Sequence, residues 1–180
     1  MLLISSPAKA WEEISLEEDK RKVFASFVYP MIGLCGLSVF LGTLIDGWGQ
    51  LTVYQVAMTK CCAVFVGLFG GYFLAAYAVN KLGVGMFGLK NDIKSAQQFT
   101  GYALNILFIS YIAWGLAPQF VILYGLSQFY VVYIIWEGAE IIMRVEEKRR
   151  MTYTLLTFLL ITLSPLIIGI VFDKLTIILN

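Results

Sequence analysis

The chain has 180 residues, of which 59% are hydrophobic and only 14% are charged, and its mean hydropathy is +0.81. Because soluble domains usually carry about 25% charged residues, this composition predicts an integral membrane protein. The net charge is +1, and the basic residues stand in short clusters between apolar runs, so nucleic acid is not an expected partner. The sequence has no histidine, which excludes a histidine metal site and a histidine general base within it.

The cysteines lie inside apolar runs and are expected to be small packing residues. Two of them, Cys61 and Cys62, are adjacent, so on a helix they project in different directions and lack the spacing of metal ligands. No nucleophile and base stand at a matched depth in the chain, so an enzyme is not expected. No cofactor is predicted, and the sequence leaves the binding of a metal ion open.

Residues 1–22 are predicted to be a lead-in to the membrane domain. Ser5-Ser6-Pro7 is typical of a helix start, and the helix that follows carries Trp11 on its apolar side. We expect a short amphipathic helix at the membrane surface with Trp11 at headgroup depth; a solvated arm is the alternative. Residues 15–18 fit a capping box, which predicts a second helix that leads into the first span.

Residues 23–180 are predicted to form an all-α membrane domain with five transmembrane helices. About 20 apolar residues cross roughly 30 Å of hydrocarbon, and five runs are long enough to do so. The glycine-rich residues 80–95 are expected to be a flexible loop, and Pro30 and Pro165 are expected to bend their helices. The predicted spans are 23–45, 51–79, 96–116, 118–143 and 151–172.

Small residues line one face of the second span. Gly67, Gly71, Ala75 and Ala78 recur at helical spacing on the side that also bears Lys60. Small residues let membrane helices approach closely, so this face is expected to pack on another helix, in the same subunit or in a second copy of the chain. Lys60 points into the bundle or reaches outward to the interface.

The distribution of lysine and arginine predicts the orientation. In a five-span arrangement, all but two of the 13 basic residues fall on one side of the membrane, the exceptions being Lys60 and Lys174. Basic residues are retained in the cytoplasm. The N-terminus is therefore predicted to be cytoplasmic and the C-terminus to be outside.

The fourth span carries ionisable residues late in an apolar run. At about 100° per residue, one narrow face collects Tyr130, Tyr133, Glu137, Glu140 and Arg144. A charge that faces lipid is costly, so this face is expected to be covered by other helices or to line a wet cavity. Polar side chains of the third span reach a similar depth. The predicted intramembrane polar site consists of Glu137, Glu140, Asn105, Tyr102, Gln98, Tyr133 and Arg144.

Several short segments spread over most of the chain combine into a recognisable sequence pattern. They include an opening proline and tryptophan, paired glycines in the second span, and aromatic stretches in the later spans. The segments are residues 7–14, 70–71, 99–103, 133–138, 145–148 and 153–154. In these segments the chain resembles the Yip-domain family (Ypt/Rab-interacting membrane proteins), above all its short bacterial-type members. It differs where Asn105-Ile106 stands near a proline that the family often has, and in having no long polar N-terminal arm.

The resemblance implies a five-helix integral membrane domain. For eukaryotic relatives it also implies binding of small Rab-type GTPases in vesicle traffic, whereas we expect this chain to be a bacterial inner-membrane protein. Membrane lipids are expected partners, and a protein partner or self-association is a further expectation.

Three interpretations of the polar and basic residues stay open. In the first, a small transporter or channel subunit uses the carboxylates and amide oxygens as a cation or proton site. In the second, a scaffold or lipid- and protein-interacting module recruits anionic headgroups or a partner through a basic rim. In the third, Glu140 pairs with Arg144 and Glu137 is held by neighbouring donors as interhelical glue. The rim consists of Lys20, Arg21, Lys22, Lys90, Lys94, Lys148, Arg149 and Arg150. We adopt the second interpretation and keep the first as its alternative.

Overall fold

A computed structural model describes residues 6–16 and 23–179. In this part the protein consists of helices joined by short turns, so the predicted helical fold class is confirmed. A short 3-10 turn at 118–120 precedes the sixth helix. The helices are α1 (Pro7–Ser15), α2 (Phe24–Asp46), α3 (Val53–Phe87), α4 (Ile93–Ala103), α5 (Asn105–Leu116), α6 (Val121–Ile141) and α7 (Glu147–Leu179).

Four of these helices are long and apolar enough to cross a membrane alone, namely α2, α3, α6 with its preceding turn, and α7. The pair α4 and α5 passes the same test only together, because the two helices meet at a bend of 42°. The described residues therefore contain four spanning helices, or five when the bent pair counts as one crossing.

The first spanning helix opens with a π-helical turn, Phe24–Val28, and is α-helical from Tyr29. Pro30 has no N–H, and in a regular helix its ring would collide with the carbonyl four residues earlier. A π turn is wider than an α turn and is a recognised cause of helix distortion. The disturbance predicted at Pro30 thus coincides with a π turn on its N-terminal side.

The second spanning helix extends past its predicted end, so the expected loop over residues 80–95 shrinks to residues 88–92. Gly83 and Gly85 stay helical, because a glycine costs a helix only about 1 kcal/mol relative to alanine. Gly88 ends the helix. Its left-handed φ of 65° lets the next N–H donate to the Gly83 carbonyl over 3.0 Å.

Asp92 starts α4 slightly before the predicted third span. Its carboxylate accepts hydrogen bonds from the backbone N–H groups of Lys94 and Ser95 at 3.1 and 3.2 Å, and from the Ser95 hydroxyl at 2.6 Å. The Asn80 amide donates to the Asn91 side-chain oxygen at 2.7 Å. The start of α4 is therefore tied to the C-terminal part of α3.

The small-residue face of α3 packs against α7 at Pro165. Gly67 faces the Pro165 carbonyl and Gly169, and a methyl group added at Gly71 would stand 2.6 Å from the Pro165 Cα. The face predicted for close approach is therefore used within one subunit. Lys60 is exposed.

The helix α7 begins before its predicted span of 151–172 and continues past it to Leu179. It continues through Pro165, which cannot donate a backbone hydrogen bond. The preceding Ser164 hydroxyl donates to the Leu160 carbonyl at 2.6 Å. The chain is thus helical on both sides of the proline.

The spanning helices contact one another in a ring. In spatial order around the ring, α3 contacts α2, α2 contacts α5, α5 contacts α6, α6 contacts α7, and α7 contacts α3. The contact between α2 and α5 is close at Gly42 and Gly115, since a methyl group at Gly42 would overlap the Gly115 carbonyl. The interior of this ring is filled by side chains of its five helices.

Candidate functional site

Trp11 attaches α1 to one end of the bundle. Its side chain is 0% exposed, and its indole N–H donates to the Ile134 carbonyl at 3.0 Å. Its ring centroid lies 5.5 Å from that of Phe99 and 6.3 Å from that of Tyr102. The indole is therefore enclosed by α4 and α6, and its polar N–H binds a backbone carbonyl inside the protein. Its predicted depth at the level of the lipid headgroups stays a prediction.

Gly138 provides the space for this indole. A methyl group at Gly138 would lie 2.6 Å from a ring carbon of Trp11 and 2.7 Å from one of Phe99. The far end of α1 is held as well, since the Gln98 amide donates to the Ile14 carbonyl at 3.2 Å. The opposite side of α1 is exposed and polar, with Lys9, Glu12 and Glu13.

Arg149, in the first turn of α7, joins this helix to the end of α3. Its guanidinium group donates to the Met86 carbonyl and lies 4.8 Å from the ring centroid of Phe87. A guanidinium at that distance from an aromatic ring is favoured by the negative face of the ring. The same group thus satisfies a carbonyl at a helix end and fixes the relative position of two helices.

Arg150 joins α7 to α6. It forms an ion pair with Glu140 and lies 4.3 Å from the ring centroid of Trp136. The expected pair between Glu140 and Arg144 is therefore replaced by a pair with Arg150. The physical reason is that α6 ends at Ile141, so Arg144 is not one helical turn from Glu140.

Arg144 has a backbone conformation that is unusual for its residue type. Its φ is 55°, in the left-handed region, where a side chain costs about 1 to 2 kcal/mol. The following N–H, of Val145, donates to the Ala139 carbonyl at 3.0 Å and satisfies one free carbonyl of α6. The chain could reverse here at lower cost with glycine, so an arginine at this position suggests a function for its side chain.

Arg144 and Arg149 line a small polar pocket of about 230 Å³. Glu146 lines it too, so two arginines and one glutamate contribute to the wall, whose residues are net positive. The turn after α3, at residues 87–89, closes another side. Arginine side chains match the oxygen atoms of a phosphate group, so a pocket between two arginines suits such a group.

Other cations of the predicted rim lie on neighbouring turns and helix starts of the chain. Lys90, Lys94 and Lys148 are exposed, and each lies on a turn or helix start beside α3, α4 or α7. We call this region, with the pocket and the outer side of α1, the basic end. The predicted rim residues Lys20, Arg21 and Lys22 lie outside the described residues, as do residues 17 and 18 of the predicted capping box.

The residues of the predicted polar site differ widely in exposure. Gln98 and Asn105 are buried, Tyr102 and Glu137 are partly buried, and the other three, Tyr133, Glu140 and Arg144, are exposed. The structure brings Gln98 and Tyr102 together with α1, whereas Glu140 binds Arg150. A cation site that includes Glu137 and Asn105 stays a prediction. Within the described residues, no three of His, Cys, Asp and Glu are grouped so as to hold a metal ion.

Sequence reasoning missed two features of this end. The docking of α1 could have been suspected from Gly138, a glycine within an apolar helix and without a turn to explain it. The strained conformation of Arg144 has no signal in the sequence, because arginine is rare in the left-handed region.

A family model described as the Yip1 domain matches residues 1–169. The searches of curated proteins and of solved structures gave no match.

Proposed function

The chain belongs to the Yip1-domain family, and from this premise we propose that it is a non-catalytic membrane module that binds anionic lipid headgroups at its basic end. The apolar helices fit a membrane protein of this family. The observation that carries the proposal is the pocket lined by Arg144 and Arg149.

We further propose that the bent pair of α4 and α5 is one crossing, which gives five spans. The basic end then faces the cytoplasm, the C-terminus lies outside, and the membrane is a bacterial inner membrane. Cytoplasmic leaflets are rich in anionic lipid, and each Lys or Arg near such a surface contributes about 1 kcal/mol to attraction. The exposed lysines of the basic end would gather anionic lipid around the pocket.

Within the pocket, the two arginines have different roles. Arg149 is held by the Met86 carbonyl and the Phe87 ring, so it is a fixed part of the wall. Arg144 is exposed and has a strained backbone. We assign to Arg144 the main contact with the lipid phosphate group, because its side chain is exposed beside the pocket, whereas that of Arg149 is occupied by the Met86 carbonyl and the Phe87 ring.

The substitution Arg144→Gly tests whether the arginine side chain is needed for lipid binding or is only a strained residue in the turn. Glycine accepts a positive φ without cost, so the variant should be more stable by about 1 kcal/mol. If the side chain binds lipid, the affinity of the same variant for phosphatidylglycerol should fall about fivefold. This loss corresponds to one guanidinium contact of about 1 kcal/mol.

The measurement uses the full chain in nanodiscs with equal amounts of phosphatidylglycerol and phosphatidylcholine. Native mass spectrometry counts the lipids retained, and thermal unfolding gives the stability. Lys174→Ala, at the opposite end of α7, is the matched control for the loss of one exposed positive charge and should reduce the retained lipid less than Arg144→Gly does. A more stable Arg144→Gly protein that retains wild-type amounts of phosphatidylglycerol would contradict the proposal.

A further inference from the structure

Between the helices of the ring lies a second, larger cavity of about 540 Å³. It is lined by residues of α3, α5, α6 and α7, together with Leu104. Along α7 its lining begins at Ile161, roughly 18 Å from Arg149 at 1.5 Å per residue. The cavity therefore belongs to the half of the bundle that lies away from the basic end. Its size is within the range of about 300 to 1,000 Å³ that small-molecule sites occupy.

The cavity opens on the side of α7 that faces α6. Among its described lining residues, only Leu166 and Ile170 are exposed, at 56% and 57%. The helix α7 packs against α3 and α6, and Pro165 and Gly169 close the side toward α3. Leu166 and Ile170 each follow one of these contacts by one position, so they lie about 100° around the helix from α3. They therefore form the α7 edge of an opening between α7 and α6.

This opening lies at the depth of the membrane hydrocarbon. Leu166 and Ile170 belong to a spanning helix, and the next position on their stripe is the exposed Lys174. A lysine at the end of a spanning helix extends to the membrane surface, so the opening starts about 6 Å below the level of this residue. From Ile161 to Ile170 the cavity follows α7 for about 14 Å. That length is close to half of the roughly 30 Å of hydrocarbon in a bilayer, which is the share of one leaflet.

The wall of the cavity offers little to a polar occupant. Its residues carry no charge, and most of them are aliphatic. The side-chain carbonyl oxygen of Gln128 and the hydroxyl oxygen of Thr162 have no accessible surface, and Gln128 also interacts with the Tyr124 hydroxyl. A water molecule needs two to four polar partners, and a charged or polar ligand would lose its hydration without replacement. An apolar occupant is therefore favoured, and hydrocarbon is what lies outside the opening.

From these observations we infer that the cavity binds one acyl chain of a membrane phospholipid in the leaflet away from the basic end. The chain enters between α6 and α7, and the headgroup stays at the membrane surface. The chain gains no hydrophobic free energy by leaving other chains, because the bilayer is equally apolar. It is held because it supplies contact atoms to walls that otherwise face a void. The inference is independent of the basic end, because the two pockets share no residue.

The test uses two photoreactive phosphatidylcholines in nanodiscs that each hold one full chain. One probe carries a diazirine in the middle of an acyl chain, and the matched probe carries it in the headgroup. Leu107 and Phe108 give the readout, because they line the cavity but are only 6% and 1% exposed, so lipids around the protein do not reach them. Because a phosphate group is costly to bury in apolar surroundings, the acyl-chain probe should label these two residues at least about tenfold more than the headgroup probe.

A variant that fills the cavity gives a second readout. Gly169→Phe should abolish labelling of Leu107 and Phe108, because a side chain added at Gly169 meets nothing within 4 Å and can extend into the cavity. Labelling of the exposed outer surface of α7 should persist in this variant. Gly33→Phe is the matched control, on an exposed position of α2 that is equally open, and should label like the wild type.

The labelling of the wild type decides the matter even when Gly169→Phe fails to fold. Absence of label at Leu107 and Phe108, or equal labelling of them by the two probes, overturns the inference. Labelling of these residues that survives Gly169→Phe in a folded protein overturns it too. Loss of the label in densely packed proteoliposomes would show that a second copy of the chain covers the opening, and would also overturn it. Because the phosphatidylglycerol measurement is separate, either proposal can fail while the other stands.

Discussion

Replacing Trp11 by alanine should release α1 from the bundle. The indole is fully buried and its N–H donates to the Ile134 carbonyl. Truncation of a buried aromatic side chain to alanine costs about 3 to 5 kcal/mol, and the lost hydrogen bond is part of that cost. Such a change raises the fraction of molecules with α1 detached more than a hundredfold.

Trp11→Phe should show which part of the interaction matters most. Phenylalanine keeps an aromatic ring against Phe99 but has no N–H, so we expect a loss of about 1 to 2 kcal/mol. Gly138→Ala should weaken the same contact by changing α6 instead of α1. Its added methyl group would lie 2.6 Å from the indole, and overpacking of this kind costs about 1 to 3 kcal/mol.

Amide hydrogen exchange of the nanodisc-embedded protein measures the detachment directly. In the wild type, peptides that cover residues 7–15 should be protected, and in Trp11→Ala they should exchange far faster. Trp48→Ala is the matched control, since Trp48 is 84% exposed in the turn after α2, and an exposed substitution should change stability by less than about 0.5 kcal/mol.

Identical behaviour of Trp11→Ala and Trp48→Ala would contradict the docking role of the Trp11 indole. Unchanged exchange in residues 7–15, together with an unchanged melting temperature, would mean that the indole contributes no more than a surface residue. Faster exchange without any change in melting temperature is compatible with local detachment, because α1 can open while the spanning helices remain folded.

Two further predictions concern the spanning helices. Gly71→Ala should lower the melting temperature, because its methyl group would stand 2.6 Å from the Pro165 Cα and push α3 away from α7; Gly85→Ala, where a methyl group meets nothing within 4 Å, should instead raise stability by about 0.5 to 1 kcal/mol. Proton flux into liposomes should be the same for the wild type and for Glu137→Gln, and flux that is present in the wild type and lost in the variant would favour the transport alternative.

The sequence was sufficient for the helical class and for most helix positions. Apolar length alone predicts α2 to within a residue or two, because hydrocarbon thickness sets the length of a span. The small-residue face with Gly67 and Gly71 correctly indicated a close helix contact. Which helix would be the partner was not readable, because small residues specify how near a neighbour comes and not its identity.

The candidate site was less predictable, for two physical reasons. An amphipathic pattern such as that of α1 has the same appearance whether its apolar side meets lipid or protein, so the burial of Trp11 is a tertiary property. The pair between Glu140 and Arg144 was inferred from the spacing of a continuous helix. The helix ends at Ile141, and Arg150 of the next helix becomes the partner.

The contact between Trp11 and Ile134 also constrains the order of events during synthesis. The two residues are separated by 123 positions, and at about 5 to 20 residues per second a ribosome needs roughly 6 to 25 s to cover that interval. Throughout this time the docking site of α1 is incomplete, because Ile134 and Gly138 of α6 have not been made. The exposed side chains of Lys9, Glu12 and Glu13 keep the undocked helix α1 compatible with water. The helix that is synthesised first therefore docks onto α6, one of the last helices to be synthesised.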